Sequence, residues 1–367
     1  TNGWIMYYYA NPNYGGYNLR CVFNGDNTVT VNSEIDPAEQ ETSHYKFEQS
    51  QGVVLSFDEY NSLFHYFSDP KNPDGVGSNG QGMLGDFEFR VLSATQEKVV
   101  LKGKKHDSII EMYAAADDFE WSTYMAEVGA VETAMMSKKY FLTFGEKTVI
   151  ALKSNRALEF LDEESQSTIT IPFIFNEKGV RFYGEFEYAG YKVRDLTYSA
   201  EDEGCFNEDK SVSLKVRPTP MTELIQSGDW FISGDAISEK LKPYFNACVD
   251  GSAAEGEKII YMWIGADYNE AGWGLAFRSG NYFGALFMDA TVVDDNTITL
   301  NITSADDNGS YYVKYAGYSA LREVFNATFK LSTTDVKNPV DIKMVKSDDE
   351  EAWLTLSSNV VTYPFGE

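Results

Sequence analysis

Two stretches of this chain share one outline: residues 91–113, VLSATQEKVVLKGKKHDSIIEMY, and residues 292–315, VVDDNTITLNITSADDNGSYYVKY. Each reads as a β-hairpin entered through a polar turn. Each leads into a helical pattern, WSTYMAEVGAVETAM after the first and YSALREVFNATF after the second. An apolar strand then follows, TVIAL in one copy and PVDIKMV in the other. A repeated unit constrains architecture before any single motif does. An internal duplication is therefore expected, with units 85–161 and 272–357 superposing as hairpin, helix, strand.

The remaining chain alternates strand patterns with turn chemistry. GWIMYYY, YNLRCVF and TVTVNSE are separated by NPNYGG and NGDN, and Asn-Gly between apolar runs is a strong hairpin signal. The phenylalanines and tyrosines of IPFIFNEKGVRFYGEFEYAGYKV alternate across an NEKG turn. Trp121, Tyr124, Met125, Val128 and Val131 make an apolar stripe, so a helix is expected near 120–136. Phe57, Tyr60, Phe64 and Phe67 predict a second, short helix with one buried aromatic face. A third is predicted near 238–249. Consecutive strands with short turns favour antiparallel pairing. The class read from this is mainly β, with antiparallel meander sheets or calycin-like barrels and a few packed helices. With 367 residues the chain is long enough for two cores. The RPTP run at 217–220 is a stiff extended spacer, which divides the chain into 1–216 and 217–367, both β-rich.

A net charge of −26 repels phosphate backbones and anionic lipid, so nucleic acid and acidic membranes are poor partners and none is expected. Cys21, Cys205 and Cys248 lie far apart, odd in number and without CxxC or Cys/His spacing, so buried free thiols are expected. No run of apolar residues is long enough to span a bilayer as a helix. The chain enters a strand pattern almost at once, an abrupt start compatible with removal of a targeting segment.

NGWIMYYYANPNYGGYN at 2–18, LSFDEYNSLFHYFSDP at 55–70 and GDFEFRVL with EKVVLKGKK within 85–105 together resemble the DUF4302 family, in that family's order. The resemblance implies lipoproteins of Bacteroidetes without an accepted activity or accepted catalytic residues. It implies a signal peptide and a lipid-bearing cysteine before Thr1, hence an extracytoplasmic, outer-membrane-anchored location in a Gram-negative bacterium, with membrane contact only through that anchor. It also implies work beside nutrient-import components of the SusC/SusD type.

Chemistry is sparse. The three histidines, His44, His65 and His106, show no paired spacing, and there is no GxSxG or Cys/His signature. His65, on the predicted aromatic helix beside the Gly-rich loop at 69–85, is a candidate ligand residue or else a partly buried ring bonded locally. Asp86 and Glu88 sit two apart in a strand pattern, which a glycosidase could use; the alternation favours acids out, with Phe87 and Phe89 in. Asp69 and Asp74, with Asn72 and Asn79, are calcium candidates whose spacing matches no EF-hand loop. The best ligand candidates are aromatic: Tyr7, Tyr9, Tyr14 and Tyr17 crowd one hairpin together with Trp4. Either both faces of that strand are buried or one displays rings for stacking, with Tyr14 at the tip and Trp4 buried. Trp273 and Tyr282 read as core. No cofactor and no catalytic residue is expected. The reading is noncatalytic capture of a polysaccharide or peptide fragment; the alternatives are a carboxylate-dependent hydrolase and an assembly subunit without a small ligand.

Overall fold

The computed structural model describes residues 2–50, 52–267, 272–336 and 338–361. It divides into two compact units, Thr1–Arg217 and Pro218–Glu367, so the boundary falls at the RPTP segment. The pairings within both units are antiparallel.

The first unit opens with a nine-stranded sheet. In spatial order its strands are Asp36–His44, Thr28–Ser33, Tyr17–Phe23, Trp4–Tyr8, Ile109–Ala114, Lys98–Gly103, Glu88–Ala94, Val53–Ser56 and Lys46–Gln49. Only Tyr45 separates the two edge strands along the chain, so the sheet curls back toward itself at that corner. Met6, Tyr8, Leu19, Val29, Val31 and Phe89 fill its inner face. A one-turn helix, Ser62–His65, closes that core. This helix is shorter than the aromatic spacing suggested. Asn61 caps it by accepting from the Phe64 amide at 3.0 Å, so residues 57–60 lie outside the helical period. Phe57, Phe64 and Phe67 are still buried, with Phe57 and Phe64 stacked at 4.0 Å, but Tyr60 is 66% exposed.

A closed eight-stranded barrel follows, running from Lys139–Phe144 to Val212–Val216. Each strand pairs with its successor, and the last returns to the first through Leu142 and Leu214. The helix Trp121–Ala134 buries Trp121, Tyr124, Val128 and Val131 in the barrel's core. The NEKG signal is a two-residue turn joining Ser167–Asn176 to Gly179–Tyr188.

The second unit is a second closed barrel of the same neighbour-to-neighbour order, from Trp230–Ile237 to Asp349–Ser357. Phe245 and Cys248 of the helix Lys242–Ala254, with Tyr312, Tyr318 and Phe325, complete its core. That helix begins four residues later than predicted. Two further readings fail here. NGSYYVKY is not a strand: Asp306 accepts from the Gly309 amide as an N-cap, and Asp307–Tyr315 is a helix with Tyr312 inward. In YSALREVFNATF only Leu321–Phe325 is α-helical, and Ala327–Ser332 is already the next strand. Tyr282, read as core, is 55% exposed, and Trp273 is half-buried.

The duplication of hairpin, helix and strand fails for a topological reason. The first hairpin lies in the open sheet, while the strand after its helix belongs to the barrel. In the second copy the hairpin and the following strand belong to one barrel. What recurs is the closed barrel, not the unit read from the sequence. The three thiols are free and buried, one in each core: Cys21 in the sheet, Cys205 in the first barrel, Cys248 in the second.

Candidate functional site

Trp4–Tyr8 is a central strand of the sheet, and the choice between two buried faces and one displayed face resolves unevenly. Met6 and Tyr8 point into the sheet's own core. Ile5 points the other way and joins the core of the first barrel. Tyr7, on that same face, packs between the two cores and lines a cleft of about 790 Å³. The neighbouring strand supplies Tyr113, paired with Ile5 across the sheet, and the two rings meet with centroids 5.5 Å apart. Phe119 and the exposed acids Glu120 and Glu127 line another part of the wall. The Asn176–Gly179 turn brings Glu177 to the same cleft.

Arg181 lies over this aromatic floor, its guanidinium carbon 5.8 Å from the Tyr7 ring and 5.7 Å from the Tyr113 ring. Its Nη1 donates to both oxygens of Asp195 at 2.7 and 2.9 Å, and its Nη2 to the Tyr113 hydroxyl at 2.9 Å and Glu111 Oε2 at 3.1 Å. A planar guanidinium held by so many acceptors keeps one orientation. Glu111 also takes Lys98 at 2.6 Å and Arg194 at 2.9 Å. Burial works against its charge, but Lys98, Arg194, Tyr113 and Arg181 together outweigh burial, and the carboxyl falls to about 2. The Tyr7 phenol moves the opposite way. Burial and the Glu177 carboxylate push it up to about 12, so it stays a hydroxyl. Glu177 Oε2 is buried, and no donor among the described residues reaches it. The Glu177 side chain as a whole is 27% exposed, so the residue still borders the cleft.

The other residues singled out in the sequence do not converge on this cleft. Tyr9 is only 4% exposed, its ring against Tyr183 at 4.7 Å, so it cannot stack on a ligand. Tyr17 is 9% exposed and covered by Arg156 at 4.4 Å. Tyr14 is not a free tip: Pro12–Tyr14 forms a 3-10 turn capped by Asn11. The turn is seated on the barrel, where the Gly16 amide donates to Phe173 O at 3.0 Å and Arg156 Nη1 donates to Gly16 O at 2.8 Å. Gly15 is required there, because its φ is +75° and a Cβ would strike Arg156. Tyr14 is accordingly half-buried against the sheet core, as is Trp4, which the sequence placed in the interior. His65 lies away from the cleft between Tyr60 and Phe87, with ring centroids 5.4 and 5.3 Å away.

Asp69 accepts from the Lys71 amide at 2.9 Å and Asp74 from the Tyr66 hydroxyl, so both calcium candidates serve their own loop. No group of three His, Cys, Asp or Glu among the described residues could hold a metal. Asp86 and Phe87 reverse the alternation read for them. Asp86 turns inward and accepts from the Lys105 and His106 amides at 3.2 and 2.8 Å, while Phe87 is exposed. The strand starts only at Glu88, so the period of two does not yet apply.

Sequence reasoning missed Glu111 and Tyr113 on one segment and Glu177 and Arg181 on another, more than sixty residues away. The available signal was a lone charge inside an aromatic or apolar alternation, Glu111 in IIEMY and Arg181 in GVRFYGEF.

The chain belongs to the family described as Domain of unknown function (DUF4302), whose model matches residues 1–200. No curated protein matches the sequence. Among solved structures, the beta chain of DNA polymerase III from Streptococcus pneumoniae is 12% identical over 98% of this chain and 91% of its own, with a TM-score of 0.13. The beta subunit from Thermotoga maritima is 8% identical over the same shares, with a TM-score of 0.11. Scores this low carry no argument about fold or function.

Proposed function

We propose that this chain is a noncatalytic capture protein that holds a glycan or other polymer fragment in the Tyr7–Tyr113 cleft. The setting proposed is the cell surface or periplasm of a Gram-negative bacterium, beside import components. The observation that carries the reading is the combination at the cleft floor. Two aromatic rings, an immobilised guanidinium and the part-exposed Glu177 line one cleft. Rings pack against C–H groups, and the part-exposed Glu177 carboxylate takes a hydroxyl or amine of the ligand. Glu111 does not suit the part of a general acid, which needs a raised pKa, because cations hold it near 2.

Glycan-array screening followed by calorimetry on the hit tests this. Glu177→Gln should weaken binding about tenfold while leaving the melting temperature unchanged or higher, because a buried unpaired carboxylate oxygen stabilises nothing. A hit whose affinity ignores Glu177→Gln and Phe119→Ala would move the binding site elsewhere. Sustained turnover of a bound polymer would replace capture with catalysis.

A further inference from the structure

The loop that carries Gln81 and the turn at 104–106 face each other across a different cleft, of about 750 Å³. Phe87 lines it and is 45% exposed. Phe87 also ends a file of rings: His65 lies 5.3 Å from it at 33°, and Tyr60 lies 5.4 Å from His65 at 32°. Tyr60 and Phe87 flank His65 on the surface, where large apolar groups gain nothing from folding. Inside the cleft, the Asp86 carboxylate takes the Lys105 and His106 amides. That clamp fixes the backbone from which Lys104, Lys105 and His106 project.

Asp86 and Glu88 equal Lys104 and Lys105 in number on the cleft wall, but Asp86 is committed to backbone amides and Glu88 to Lys104. In a chain of net charge −26, residues 102–106 (KGKKH) form a local basic run. Lys102 pairs with Asp107 at 2.9 Å and Lys104 with Glu88 at 3.0 Å. Lys105 is exposed and makes no ion pair among the described residues. Ser68 and Gln81 add neutral hydrogen-bonding groups to the wall. An aromatic face, an unpaired ammonium and neutral polar groups in one cleft match a pyranose carrying an acidic substituent. The ring's C–H face lies on Phe87, its hydroxyls meet Ser68 and Gln81, and its carboxylate or sulfate meets Lys105.

We propose that this cleft is a binding site for an acidic saccharide. It is separate from the Tyr7–Tyr113 cleft and does not depend on that reading. The test titrates the whole chain with oligogalacturonate, sulfated dextran oligomers, neutral dextran oligomers and sodium sulfate alone. At least one acidic oligomer should bind, more weakly as salt rises, and neutral dextran should not bind at this cleft. Lys105→Ala should weaken that binding about tenfold with the melting temperature unchanged, because its side chain is exposed, and Phe87→Ala should weaken it at least fivefold. Glu177→Gln should leave it intact. The carboxylated and sulfated oligomers separate the two sources of charge. The proposal is overturned if neither acidic oligomer binds, if both variants bind like the parent, or if sulfate alone binds as tightly as the sulfated oligomer.

Discussion

Glu111 is a carboxylate whose neighbours decide how the fold responds to acid. Its folded pKa of about 2 lies below the ordinary 4.5. The charged network of Lys98, Arg181, Arg194 and Tyr113 therefore stabilises the fold fully above about pH 4.5, and that contribution is lost as pH falls toward 2. The shift corresponds to about 3 kcal/mol. Urea unfolding should show Glu111→Gln destabilised by about that amount at pH 7 and nearly equal to the parent near pH 2. A gap independent of pH would assign the loss to packing. Arg156 is a second such point. It contacts Glu34 and Glu132, donates to Gly16 O and covers Tyr17. Arg156→Ala leaves the buried Glu34 without its cation and should cost about 3–5 kcal/mol in the same measurement. At this scale the sequence revealed residue types more than partners. Tyr7 was visible as an aromatic in an alternating strand, but which of its neighbours would be buried depended on Tyr183, Arg156 and Phe173, all more than a hundred residues away.

Elements were legible where their chemistry is local. The Asn176–Gly179 turn and the helix Trp121–Ala134 follow from turn residues and an apolar stripe, both readable in a short window. Asp307–Tyr315 was not legible as a helix, because ADDNG serves equally as a hairpin turn and as a helix cap. Only the burial of Tyr312 in the barrel core decides between them. The helix Trp121–Ala134 also contains an improvable position. Gly129 lies in its interior, and a Cβ there would meet nothing within 4 Å. Gly129→Ala should stabilise the first unit by about 0.5–1 kcal/mol, read as a higher melting temperature. A fall would show that the helix backbone at 129 needs glycine for a contact that a Cβ disturbs.

The β class was legible for the whole molecule because turn signals recur along it. Barrel closure was not, since pairing Lys139–Phe144 with Val212–Val216 joins segments about seventy residues apart without a sequence mark. Each unit has cores built from its own residues. Fragments 1–217 and 218–367, expressed separately, should each give native-like near-ultraviolet circular dichroism and a cooperative melt. A fragment that stays molten would show that its core needs the other unit.

The placement of one thiol in each core has a kinetic consequence. Burial pushes Cys21 and Cys205 up to about 12, and Cys248 is raised as well. A thiol-reactive dye therefore reads each core only when that core opens. The chain carries three internal clocks, and pulse labelling followed by peptide mass spectrometry times them separately. If the two units open independently, Cys248 should label at its own rate under mild denaturant, while Cys21 and Cys205 share another through the Ile5 strand that both their cores use. A single rate for all three thiols would instead mean that the whole chain opens as one cooperative body.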